Sequence, residues 1–117
     1  MMKQFLMLIR ENAEYGALTA EEMQTDIEKH IAWVESLVEK GNFESGNPLE
    51  ANGAIIKGGI VTDGPFVETK ECVSGYYFLL ATSLEEAVKI AKTCPAIEAG
   101  ATIEVREVIN TDDVPNE

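Results

Sequence analysis

Histidine, tryptophan, arginine and cysteine are almost missing from this chain of 117 residues, which has one His, one Trp, two Arg and two Cys. Cys72 and Cys94 stand far apart and make neither a CxxC pair nor a disulfide framework. One His with two distant Cys does not make a structural zinc site, and the acids lack the loop spacing of a calcium site, so neither metal nor cofactor is expected. Gly58-Gly59 lacks the glycine spacing and the following Lys-Ser/Thr of a phosphate-cradling loop. Positive charge is scarce too. Nine Lys plus Arg against 21 Asp plus Glu give a net charge of −12, which repels phosphate backbones and anionic lipid heads and argues against nucleic acid or a membrane surface as partner. The longest apolar runs, Phe5 to Ile9 and Tyr76 to Ala81, fall far short of the roughly twenty residues of a spanning helix. The N-terminus has no small-residue cleavage site and does not read as a secretory signal. The expected location is the cytoplasm, with both thiols reduced.

What is present reads as one domain over residues 1–110 followed by an acidic, mobile tail over 111–117. Residues 3–10 form an apolar run that suggests a buried strand. Thr19-Ala20-Glu21-Glu22 fits a capping box, and Met23, Ile27, Ile31, Val34, Leu37 and Val38 then recur in one helical stripe up to Lys40, with Gly41 as the stop. Phe43 to Leu49 reads as a short extended piece ended by turn-forming Gly46, Asn47 and Pro48. Ala54 to Lys57 and Ile60 to Thr62 flank Gly58-Gly59, the pattern of a tight hairpin. Asp63-Gly64-Pro65-Phe66 is a turn, and Tyr76 to Thr82 is a second buried strand. Ser83-Leu84-Glu85-Glu86 repeats the capping box before a shorter helix lined by Leu84, Ala87, Val88 and Ala91 and ended by Pro95. Ala101 to Ile109 alternates as a strand with one wet side.

This order is that of an α+β, ferredoxin-like βαββαβ sandwich with an inserted hairpin. Both faces of the 3–10 and 76–82 strands are apolar, with Phe5, Met7 and Ile9 on one side and Leu6 and Leu8 on the other. Two helices cover one face of a sheet. The economical cover for the second is another copy, so the expectation is a homodimer packed sheet to sheet.

The single imidazole, His30, falls within the helical stripe toward its Trp33 edge and is expected to face the sheet. A carboxylate is a natural partner for one ring nitrogen, and Asp26 and Asp63 are the two candidates. Such a pair, with the other nitrogen free in a pocket, makes a general acid/base centre. The same spacing also suits a satisfied core histidine, and Asp63 also suits a plain turn. Trp33 and the pair Tyr76-Tyr77 read most simply as core or dimer-interface aromatics, though one of them is also placed to wall a ligand pocket beside His30. Cys94 at a helix end is not a nucleophile. Residues 11–50 hold ten acids and two Lys, a net of −8, so the surroundings of His30 favour neutral or cationic ligands. An anionic substrate needs compensation, for which Arg10 and Arg106 are the only arginines.

Asp63-Gly64-Pro65-Phe66, Glu68-Thr69-Lys70-Glu71 and Gly75-Tyr76-Tyr77, taken with Glu28-Lys29-His30-Ile31, Ser83-Leu84-Glu85-Glu86-Ala87, Cys94-Pro95 and Ile103-Glu104-Val105-Arg106, resemble the YCII-related family in its DGPF-motif subgroup. The resemblance covers nearly the whole chain. It implies a dimeric α+β barrel of ferredoxin-like subunits with a His/Asp centre, onto which His30 and Asp63 map. One relative eliminates chloride from a chloroaromatic compound. Domains of the subgroup are also found joined to sigma factors, so the resemblance implies two readings. In one, an enzyme uses His30 and Asp63 as acid and base on a small, cyclic or aromatic substrate. In the other, a non-catalytic dimeric module binds a ligand or docks a partner, with a link to transcription regulation.

Overall fold

The computed structural model describes residues 1–12, 18–64 and 71–113, with the side chains of residues 63, 64, 71 and 113 left aside. Strand β1 (Lys3–Asn12) leads to helix α1 (Ala20–Lys40) and strand β2 (Phe43–Pro48); the hairpin β3 (Gly53–Lys57) and β4 (Ile60–Gly64) follows, then β5 (Glu71–Ala81), α2 (Leu84–Ala91) and β6 (Thr102–Glu107). The main sheet is antiparallel in the order β2-β5-β1-β6, the arrangement of a ferredoxin-like α+β fold. The hairpin forms a two-stranded sheet of its own. Gly58 and Gly59, at φ 58° and 81°, supply the left-handed pair that its tight turn demands.

Alternation divides the main sheet. Phe5, Met7, Ile9, Tyr77, Leu79 and Ala81 point to the helices and form one core with Trp33 and Leu37 of α1, Ala87 and Ala91 of α2, and Cys94 and Ala96 beyond it. Leu6, Leu8, Tyr76, Phe78 and Leu80 alternate with them onto the opposite face, which neither α1 nor α2 covers. Thr19 caps α1 with both capping-box bonds in place, its Oγ1 accepting from the Glu22 N–H and the Glu22 carboxylate accepting from the Thr19 N–H, each at 3.1 Å. Gly41, at φ 76°, closes the helix. Asn42, buried behind it, donates to the Leu80 carbonyl at 2.8 Å and so ties the end of α1 to β5.

Several local expectations are corrected. Gly46, Asn47 and Pro48 do not turn the chain; they continue β2 along β5, since β2 is an edge strand on which proline is tolerated. Strand β5 begins at Glu71, five residues before the apolar run. The second capping box is only half formed: Ser83 accepts from the Glu86 N–H, but the Glu86 carboxylate takes the Thr82 N–H and hydroxyl instead. Helix α2 stops at Ala91, and Pro95 opens a separate 3₁₀ turn, Pro95–Ile97. In α1 only Trp33 and Leu37 are buried, while Met23, Ile27, Ile31 and Val38 of the expected core stripe are exposed. Thr111–Asp113 form a 3₁₀ turn; residues 114–117 of the tail and Pro65-Phe66 of the DGPF sequence lie outside the described residues.

Candidate functional site

A cavity of about 290 Å³ opens between α1 and the helix-side face of the sheet. Its α1 wall carries Asp26, Ile27, His30, Ile31, Val34 and Glu35, a run of alternating one- and three-residue steps that brings one helix face to the opening. This explains why Ile27 and Ile31 are not in the core. The stripe is wider than the sheet beneath it, and its outer half lines the cavity. Strands β1 and β5 supply Ile9, Glu11, Ser74, Gly75 and Tyr77, and β2 supplies Phe43 and Gly46 to Pro48.

His30 is half-buried and faces the sheet, as its position in the stripe predicts. Its Nδ1 lies 2.9 Å from the Tyr77 hydroxyl, and Nε2 has no hydrogen-bond partner among the described residues. The two rings are nearly parallel, with centroids 6.1 Å apart. Burial, with Cys94 and Asp26 adding to it, holds the Tyr77 hydroxyl well above the ordinary phenol range, so it stays protonated. A neutral phenol fixes the ring in either of two ways. It donates to Nδ1 and leaves the proton on Nε2, or it accepts from Nδ1–H and leaves Nε2 with a lone pair.

Tyr77 is itself held on three sides. Trp33 meets it edge-on at 5.2 Å and Phe43 at 6.1 Å, and the Trp33 indole donates to Thr93 Oγ1 at 2.7 Å. A Cβ at Gly46 would run into the Tyr77 ring and come within 2.6 Å of the Tyr76 carbonyl oxygen, so the ring occupies space that only glycine leaves. On the far side the β1–β5 register shifts by one residue at Ser74, a bulge that buries its hydroxyl and lets it donate to the Glu11 carboxylate.

The other expected site residues fall elsewhere. Asp26 lines the cavity one turn before His30, with no ion pair or hydrogen bond to the ring. Asp63 is the penultimate residue of β4, opposite Ala54, and its side chain lies outside the described residues. Trp33, 8% exposed, stands behind Tyr77 and does not line the cavity. Arg10 and Arg106 lie on the open face of the sheet, both against Glu104, with Arg10 at 2.5 Å and Arg106 at 3.9 Å. Nothing in the sequence singles out Glu11, Ser74 or Glu35, and the two acids are indistinguishable there from the solvated acids around them. The sequence marks Tyr77 as a candidate wall but not as the partner of His30. A contact across 47 residues has no local signal.

Cys94 is buried, and burial first of all pushes its thiol up to about 11, with Glu11 and Asp26 adding and the Ala96 N–H opposing. The cause is thus mainly desolvation rather than a helix end, since α2 has already stopped. Among the described residues no three His, Cys, Asp or Glu side chains converge closely enough to hold a metal ion, and no helix is long and apolar enough to cross a membrane.

No curated protein matches the chain. The sequence model of the YCII-related domain, however, matches residues 3–112, nearly the full length, and this establishes that the chain belongs to the YCII-related family.

Proposed function

We propose that the protein is a small cytoplasmic enzyme in which His30 moves a proton on a compact, ring-sized substrate held in the cavity. The observation that carries this reading is the state of the imidazole: one nitrogen held by a hydroxyl that stays neutral, the other without a partner among the described residues, beside a largely apolar cavity. An aspartate completes the centre in this reading. Asp63 is the partner implied by the family resemblance, and Asp26, already on the cavity wall, is the local alternative. The cavity lies at the lower end of the size range of small-molecule sites, which suits a single ring.

The test needs no knowledge of the natural substrate. Deuterium wash-in at the α carbons of cyclohexanone, followed by NMR, reports any positioned base that reaches a neutral ring. We expect wild-type protein to exceed His30→Gln by about a hundredfold, the lower side of what a positioned acid/base group contributes, with both chains equally folded by circular dichroism. Equal rates would remove the catalytic reading.

The same features also support a second reading, a non-catalytic binding module, because the only described partner of His30 is a phenol rather than a carboxylate. Under either reading we place a second copy of the chain on the open face of the sheet, where Leu6, Leu8, Tyr76, Phe78 and Leu80 lie beyond the reach of both helices.

A further inference from the structure

Three carboxylates, Glu11, Asp26 and Glu35, line the cavity, and among the described residues no Lys or Arg does. None of the three forms an ion pair among the described residues; Glu11 is fixed by the Ser74 hydroxyl, and the two arginines are spent on Glu104 across the sheet. The negative field reaches the Tyr77 hydroxyl at the cavity and, beyond the lining, the buried Cys94 thiol, both of which Asp26 helps to keep protonated. An anion entering this space meets uncompensated repulsion, while a neutral guest leaves the field unanswered. A bare metal ion is not matched either, because the carboxylates do not converge and the walls between them are isoleucine and valine side chains. The rings of Phe43 and Tyr77 supply what the acids lack, π faces and edges beside an apolar body.

We infer that the cavity selects an organic ammonium ion, a single-ring or short branched apolar body carrying one positive charge. The inference rests on the reading of the cavity as a ligand site and names the class of ligand it takes.

Three probes of nearly equal shape separate the possibilities: benzylamine as its hydrochloride, benzyl alcohol and sodium benzoate. Each is titrated into the full chain at neutral pH by calorimetry, and the single imidazole resonance of His30 locates the binding. The expected result is that benzylammonium binds at least about tenfold more tightly than benzyl alcohol and that benzoate binds more weakly still. That preference shrinks in Asp26→Asn and Glu35→Gln and at high salt. Benzyl alcohol binding as tightly as benzylammonium, with both moving the His30 resonance, overturns the cation assignment and leaves the ligand site standing. If none of the three moves that resonance, the ligand site falls and the assignment with it.

Discussion

Cys94 is 2% exposed, and its thiol is pushed up to about 11 from an ordinary value near 9. The sign of the consequence follows from proton counting. Between those two values the unfolded chain has lost the thiol proton while the folded chain still holds it, so stability is intact below pH 9 and drains away as the pH rises toward 11. A shift of this size corresponds to a loss on the order of 2 kcal/mol. Urea unfolding across that window should show a steeper decline for wild type than for Cys94→Ala, even though the variant starts lower at neutral pH because of the cavity it leaves; parallel profiles would show that the thiol is not the cause. At this scale the sequence was partly readable. His30 announced itself by being single and by its place in an apolar stripe, and it does face the sheet. Its bond to Tyr77 was hidden because register and the Gly46 gap, not local pattern, bring the phenol to it.

Among the elements, α1 shows where periodicity helps and where it misleads. Its ends were legible because Thr19, Glu22 and Gly41 act through local chemistry. Its stripe was misread because apolar spacing records contact with something non-aqueous without saying whether that is core or cavity rim. The result is a helix anchored mainly by its second half, through Trp33 and Leu37, with no buried residue from Ala20 to Lys29. The first turns therefore depend on the capping box. Thr19→Ala is expected to cost about 1 kcal/mol locally. In hydrogen exchange, amides of residues 23–30 should lose protection in that variant while those of residues 34–40 keep theirs; uniform loss would mean that the helix opens as one unit. Gly46 to Pro48 misled for a different reason. Glycine and proline usually punctuate, but on an edge strand proline has no ladder bond to forfeit, and glycine is there for the ring pressed against it.

The whole molecule is a slab of 41 × 40 × 18 Å with a radius of gyration of 16.0 Å, where a compact chain of this length has roughly 13 Å. Its accessible surface is 8423 Å², against roughly 6300 Å² for a typical monomer of this mass. One sheet and one helix layer do not enclose this chain as a globule does, and part of the surplus is the apolar open face. Sedimentation equilibrium at micromolar concentration should therefore return twice the chain mass for wild type and the single chain mass for Leu8→Asp, which sets a charge in the middle of that face; a monomeric wild type would dismiss the sheet-to-sheet pairing. The order of strands and helices was legible because each element declares its type locally. The cavity was not, because it is the space left where α1 and the sheet part. Helices and cavity occupy one side of the slab and the apolar open face the other. In a pair joined back to back, the two cavities look away from each other, separated by two sheet thicknesses that share no cavity residue. Occupancy of one then has no direct route to the other: each protomer fills independently, the isotherm is a simple hyperbola, and two ligands are taken up per pair.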